Sequence, residues 1–452
     1  MFQRFLTLVK KEPHATALIH GDGGGDSGSV TTRAELLGRA EAFAATLASR
    51  GLREGDALAM QLPNCVDFVV AFLAACKLRL VVAPIDRDAP ETEVAKILGH
   101  FAIRALVYGA DGLSVNVRDI TERPAVPSEA RLIKLTSGST GTPKGIVTTE
   151  ANLIADCTNI CATMGIRPSD LNLGAIPFSH SYGFSNLVMP LLVQGTPVVI
   201  SNDYLPQSLI ELANRHRCTV APLIPMVFAH LAMAAHGQFE TVRTFISAGA
   251  PLPATTSRRF RERFGVDIHS FYGCSECGGI TYDRIGGAVE RGTVGTAMEN
   301  VTLATNGARL TIRSASVAAG YLVDAATFQP IEATFTTDDL AELREDGELA
   351  LTGREGDLIN TAGKKVNPRE VEAVILQIEG VREAKVYGEA AGARGEVVAA
   401  VVVGTPNVTR ELVREFCRAR LSPHKVPRIV KLIDEMPVDE RGKVKRAALA
   451  TL

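Results

Sequence analysis

The eleven residues Leu135–Gly145, LTSGSTGTPKG, combine three glycines, one proline, five hydroxyl side chains and one lysine. Apolar Ala130-Arg131-Leu132-Ile133 precedes them and Ile146-Val147 follows. The pattern predicts a strand, a polar loop and more buried chain. Glycines let a backbone approach its ligand closely, and successive N–H groups can form an anion-binding nest. Hydroxyls and Lys144 add donors and a positive charge, so the fitting guest is a polyphosphate. The nucleoside triphosphatase pattern G-x-x-x-x-G-K-[ST] fails here, because Pro143 precedes Lys144 and Gly145 follows it.

Further along, Phe271-Tyr272-Gly273-Cys274-Ser275-Glu276 offers a second set of groups. An aromatic ring can stack on a base, a glycine permits close approach, and a hydroxyl can donate to a phosphate oxygen. A carboxylate can hold Mg2+, a hard cation that prefers oxygen ligands. Cys274 and Cys277 make a C-x-x-C, but zinc would need a second ligand pair and a redox pair a thioredoxin-like surrounding. His180 stands in the apolar stretch Ala175–Phe184, where it reads equally as a pocket wall or as a satisfied structural histidine. Asp338 and Asp339 are adjacent carboxylates. Lys443 follows Gly442 near the end of the sequence, where spacing alone describes an ordinary exposed lysine.

In this order the stretches resemble the adenylate-forming enzymes: acyl-CoA synthetases, luciferases and peptide-synthetase adenylation domains. TSGSTG-x-PKG resembles their phosphate loop, and Pro177–Gly183 their P-x-x-H-x-x-G. Ser247–Leu252 resembles G-A-x-P-L, and Tyr272–Glu276 resembles Y-G-x-T-E with Ser275 for threonine. Thr337-Asp338-Asp339-Leu340 resembles T-G-D-L with Asp338 for glycine, which puts the local turn in question. Gly353–Asp357 and Gly363–Glu372 resemble the hinge and the loop after it, and Pro437–Lys443 the P-x-x-x-x-G-K ending.

The resemblance implies an ATP-dependent acid–thiol ligase, acyl- or aryl-CoA ligase-like. A carboxylate attacks the α-phosphate, pyrophosphate leaves, and a thiol takes the acyl group. The cofactors implied are ATP, Mg2+ and coenzyme A, or a carrier protein's phosphopantetheine. Catalytic roles fall to Lys443, Glu276 (also the Mg2+ ligand), Ser275 and His180. Nucleotide binding falls to Thr136, Ser137, Gly138, Ser139, Thr140, Gly141, Lys144, Gly249, Ala250, Tyr272, Gly273, Asp339, Arg354 and Gly363. The acid pocket comprises His180, Tyr182, Phe184, Ala248, Gly273, Cys274, Gly278 and Gly279, with Asp357 as the hinge. These pocket residues are neutral and several are small, which favours an apolar acyl or aryl acid. Ser179 follows Phe178 where amino-acid-activating domains usually carry an aspartate. The alternatives are loading of an acyl carrier protein, a luciferase-like oxygenase, and an inactive acyl-adenylate-binding scaffold.

The implied fold class is α/β. Residues 1–352 form a large N-terminal domain of stacked, mainly parallel sheets with flanking helices and a distorted barrel-like subdomain. Residues 353–452 form a small, mobile α+β lid carrying Lys443. Local patterns agree with alternating strands and helices. Strands are expected at Ala15–His20, Ala57–Leu62, Val81–Pro84, Ala105–Tyr108, Leu191–Ile200, Thr219–Pro225 and Thr244–Ala248. Leu310–Arg313 and Gly320–Leu322 are expected in the strand-rich subdomain. Helices are expected at Thr31–Arg50, with a capping box of Thr32 and Glu35, and at Cys65–Leu78, Glu91–Phe101 and Glu150–Met164. The tract Gly21–Gly28 reads as a hairpin turn.

The 452 residues suffice for two domains. A net charge of −2 suggests no nucleic-acid partner. Eight cysteines without regular spacing suit a reducing cytoplasm better than a disulfide framework. The N-terminal MFQRFLTLVKK has a charge inside its apolar run and reads as an amphipathic helix. Val66–Leu80 is too short and too charged for an integral membrane segment.

Overall fold

Two capping boxes start the helices that pack between strands. Thr32 accepts from the Glu35 N–H while Glu35 accepts from Thr32, opening the helix Arg33–Ser49. Thr149 and Asn152 do the same for the helix Glu150–Met164, which ends on left-handed Gly165. The computed structural model describes residues 1–20, 29–109, 112–136, 144–306, 308–361, 364–390, 396–438, 444 and 449.

The described chain divides into two compact units, 1–303 with 312–335, and 304–311 with 336–452. The first holds two large sheets. One has nine strands, in the order Thr296–Ala297, Gly278–Tyr282, Ile268–Cys274, Thr244–Ser247, Val220–Leu223, Asn172–Gly174, Val198–Ile200, Thr16–His20 and Ser29–Thr32. The other has eight: Thr327–Pro330, Gly320–Asp324, Lys144–Thr149, Ala130–Thr136, Val81–Ile85, Ala57–Gln61, Ala105–Tyr108 and Ser114–Val117. The centre of each sheet is parallel. Such strands are buried on both faces, which accounts for runs such as Val81–Ile85 and Val220–Leu223 without polar alternation. The helix Glu150–Met164 packs on strands of both sheets.

Asn64, in the turn after Ala57–Gln61, ties one sheet to the other. Its amide donates to the carbonyls of Gly174, Ile176 and Ser201, and its oxygen accepts from the Phe178 N–H. A buried amide bonded through both its nitrogen and its oxygen fixes the relative register of the two carboxyl edges.

Three expectations change. Leu191–Ile200 is not one strand: Met189–Gln194 is helical, Gly195 turns at φ +85°, and only Val198–Ile200 is strand. A run buried on every side carries no periodicity that separates helix from strand. Gly320–Asp324 leaves the strand-rich region and pairs with Gly145–Val147 in the eight-stranded sheet. The remaining strands form an open four-stranded sheet, Thr302–Asn306, Arg309–Arg313, Thr334–Leu343 and Leu349–Arg354, and no closed barrel occurs among the described residues. The tract 21–28 lies outside the described residues, but its flanking strands pair antiparallel with His20 opposite Ser29.

The second unit contains a three-stranded sheet of Val381–Ala390, Glu396–Gly404 and Ile429–Ile433, with helices Pro368–Ile375 and Arg410–Arg418 over its apolar face. Asn367 caps the first of these helices, and Pro368 fills its first position. No helix among the described residues is long and apolar enough to cross a membrane.

Candidate active site

Parallel strands place their carboxyl ends on one edge of a sheet, and ligands of open α/β sheets bind there. In the nine-stranded sheet that edge delivers 175–184, 248–252 and 275–276, the stretches singled out by their chemistry. In the eight-stranded sheet it delivers Asp86 after Val81–Ile85 and the phosphate loop after Ala130–Thr136. The loop joins an antiparallel pair in which Leu135 faces Gly145 and Thr136 faces Lys144. Ser137, Gly138, Ser139, Thr140 and Gly141 lie outside the described residues, as does the Thr136 side chain.

Two hydroxyls meet on the edge of the nine-stranded sheet: Ser275 Oγ lies 3.0 Å from Ser181 Oγ. Glu276 is half-buried, and its Oε1 accepts from the Tyr321 hydroxyl at 3.0 Å. Burial and then the Glu276 carboxylate hold the Tyr321 phenol well above its ordinary pKa, so it stays a donor. Lys144 Nζ sits 5.9 Å from the centre of the same ring. Tyr321 therefore joins Glu276 of one sheet to Lys144 beside the phosphate loop of the other.

His180 Nε2 is 3.5 Å from Asp86 Oδ2. The Tyr182 hydroxyl donates to the Ile246 carbonyl, and its ring lies 5.8 Å from that of Phe271. Phe184 is buried edge-on against Phe72. Ala248 is buried, Gly249 adopts φ +88°, and Ala250 is half-buried. Tyr272 is half-buried on the strand Ile268–Cys274. A Cβ on Gly273 would lie 2.4 Å from the Gly278 carbonyl oxygen, so the hairpin itself demands glycine there. All eight cysteines are free thiols. A contact with Cys277 and burial push the Cys274 thiol far up, which makes it a poor nucleophile.

Gly278 and Gly279 rest on a residue that sequence reasoning missed. Asp156, on the helix Glu150–Met164, is buried and accepts from the Gly279 N–H and the Ser185 hydroxyl. Gly278 has φ +71°, and a Cβ there would lie 2.2 Å from Asp156 Oδ1. Gly278→Ala should therefore cost about 1–3 kcal/mol of stability, read as a lowered urea midpoint. An unchanged midpoint would count against this packing.

In the second unit, Asp339 and Arg354 pair across neighbouring strands, with Nε 3.8 Å from Oδ1. Asp338 points to the opposite face, as successive strand residues must. It is exposed and lies 3.4 Å from Arg309 Nη2. The carboxylate that replaces the usual glycine is thus turned away from Asp339. Asp338→Asn should leave steady-state turnover within about twofold of the native rate; a tenfold loss would mean that this face takes part. Asp357 lies in the short helix Glu355–Asp357, its side chain undescribed. Gly363 and Lys443 fall outside the described residues. The stretch holding Lys443 is bracketed by an antiparallel bridge between Val438 and Val444, and Val444 packs with Val401, Val403 and Met436.

Lys134, Ser181, Asp86 and Tyr321 also went unremarked as functional groups. Their roles arise from contacts 45 to 141 residues apart or from side-chain direction, and local sequence carries neither signal.

Sequence comparison matches the family described as AMP-binding enzyme at residues 5–128 and 110–322, and the AMP-binding enzyme C-terminal domain at 370–443. The sulfoacetate–CoA ligase of Cupriavidus necator is 27% identical, over 94% of this chain and 93% of that protein. The long-chain-fatty-acid–CoA ligase FadD13 of Mycobacterium tuberculosis is 26% identical, over 92% of each. Among solved structures, ATP-bound MatB from Rhodopseudomonas palustris superposes with a TM-score of 0.83 at 23% identity, covering 100% of this chain and 98% of its own.

Proposed function

The chain belongs to the AMP-binding enzyme family, and from that premise we propose how its own residues divide the work. It is an acid–thiol ligase of the AMP-forming type, which activates a carboxylic acid with ATP and passes the acyl group to coenzyme A. Two anions must meet in the first step, so positive charge has to stand where negative charge develops. In our reading Lys443 supplies it between the acid and the α-phosphate. Thr136–Gly141 and Lys144 hold the leaving pyrophosphate, and Ser275 donates to the α-phosphate. Tyr272, Gly273 and the backbone at Gly249-Ala250 flank the adenine, and Asp339 and Arg354 hold the ribose.

The residues suit Mg2+. Glu276 presents a hard carboxylate whose Oε1 is engaged by Tyr321, and among the described residues no other group bonds its second oxygen. No group of three or more possible protein ligands gathers among the described residues, which fits an ion completed by phosphates and water. When bound, the ion would neutralise phosphate charge.

The observation that carries this reading is the meeting of Glu276 and Lys144 on Tyr321, which sets the proposed metal ligand beside the phosphate loop. His180, held by Asp86, and Tyr182, Ala248, Cys274, Gly278 and Gly279 wall the acid site. Phe184, buried edge-on against Phe72, supports that wall. This neutral lining fits an apolar acyl or aryl acid. The relatives act, by their names, on sulfoacetate and on long-chain fatty acids. We further propose that 353–452 act as a lid turning about Asp357, with Gly363 near the incoming thiol, and that the enzyme works in the cytoplasm.

Pyrophosphate release across a panel of alkyl, aryl and dicarboxylic acids tests the activity. Adding coenzyme A, then a phosphopantetheinyl carrier protein, to the best acid identifies the acceptor. No release with any acid would favour an inactive scaffold.

A further inference from the structure

Lys134 lies two residues before the end of the strand Ala130–Thr136, in the run Leu132-Ile133-Lys134-Leu135. A lysine there reads as an outward-facing strand residue. It is instead 8% exposed. Its Nζ donates to the Ser275 carbonyl at 3.2 Å. Among the described residues no carboxylate lies within ion-pairing distance of it. Lysine is almost never buried without a partner, and a single neutral carbonyl engages only one of three ammonium donors. An isolated buried ammonium is costly.

The surroundings show what would satisfy it. The Ser275 and Ser181 hydroxyls share a hydrogen bond of 3.0 Å in which either can donate, and either can rotate to donate elsewhere. The nearby Glu276 carboxylate is turned to Tyr321. One cation and two hydroxyls therefore gather at one residue, with the neighbouring acceptor directed away. We propose that Lys134 is a second cation of the adenylation site, and that it binds, with Ser275 and Ser181, an oxyanion of the reactants: a phosphoryl oxygen of the nucleotide or the carboxylate of the acid. The inference rests on the ligase reading for the identity of that anion.

Lys134 belongs to the sheet and not to the proposed lid. A charge built into a strand keeps its place when the lid turns. It should therefore serve both half-reactions, unlike Lys443.

Lys134→Met removes the charge while keeping an unbranched chain of similar length, and Lys134→Arg keeps the charge. Binding of AMP alone, and of the acid that releases pyrophosphate fastest, is measured by calorimetry, with the melting temperature of each unliganded variant. We expect Lys134→Met to melt at or above the native temperature, since burying an apolar chain there is easier than burying an ammonium. It should bind AMP, or the acid, about 10- to 100-fold more weakly, the loss of one charge-assisted hydrogen bond. Lys134→Arg should recover most of that affinity. Weakened AMP binding assigns the phosphoryl oxygen, and weakened acid binding alone assigns the carboxylate. Native affinity for both ligands in Lys134→Met overturns the proposal. Should that variant fail to fold, Lys134→Gln takes its place with the same criteria. Absence of pyrophosphate release by the native enzyme would instead strike at the ligase reading, while AMP binding would still decide the role of Lys134.

Discussion

Lys443→Ala should lower pyrophosphate release by about 10²–10³-fold, the scale of losing one group that stabilises developing charge. The same variant should convert supplied acyl-adenylate to thioester within a few-fold of the native rate. The asymmetry follows from the division of labour. In the first half-reaction a carboxylate approaches a phosphate, and the barrier is dominated by like charges. In the second, a thiol attacks a carbonyl whose leaving group is already an adenylate, and in the lid arrangement we propose Lys443 is then turned away. Val444, next to Lys443 in sequence, is packed into the small unit. Measuring the two half-reactions separately, by pyrophosphate release and by thioester formation, decides the matter. Equal loss in both would overturn the two-position lid. Lys134→Met is the natural companion, because it should weaken both.

Glu276→Gln should reduce adenylation on the order of 10²-fold and raise the Mg2+ concentration needed for half-maximal rate. A glutamine still offers an oxygen to the Tyr321 hydroxyl, so the bond that holds the side chain survives. What disappears is the negative charge that a hard divalent ion requires. Chelation should stop the native enzyme, and excess Mg2+ should partly restore the variant. A variant with reduced rate but native Mg2+ dependence would show that Glu276 acts by position alone. Tyr321→Phe separates these further: it removes the bond and leaves the charge.

How legible the protein was depended on the range over which each signal acts. The stretch Leu135–Gly145 stood out because glycines, hydroxyls and a lysine cluster within eleven residues, and the chain on either side of it is strand, as expected. The capping box at Thr32 and Glu35 spans three positions, and the helix begins where it says. The central strands were legible because burial on both faces makes them uniformly apolar. That same uniformity misled at Leu191–Gln194, where an equally apolar run is helical. Gly320–Leu322 was placed in the strand-rich subdomain by resemblance, but its partner strand lies more than 170 residues earlier, at Gly145–Val147. Lys134 and Asp156 stayed hidden because a lysine or aspartate amid apolar residues looks like a solvated face until the direction of its side chain is known. Candidate groups were thus visible where they are clustered in sequence, and hidden where the fold brings single residues together.

Asp338 and Asp339 stand on opposite faces of one strand, and the ladder just beyond them already slips between Leu340 and Ala341. A strand has parity: moving it by one residue exchanges what each face presents. At most positions that exchange would replace a carboxylate by something chemically different. Here it would replace one aspartate by another. The position that departs from the usual glycine thus gives the Arg354 edge a spare: a one-residue deletion at that slip would bring Asp338 opposite Arg354 in place of Asp339. Redundancy of this kind is invisible to single substitutions and appears only when the length of the chain is changed.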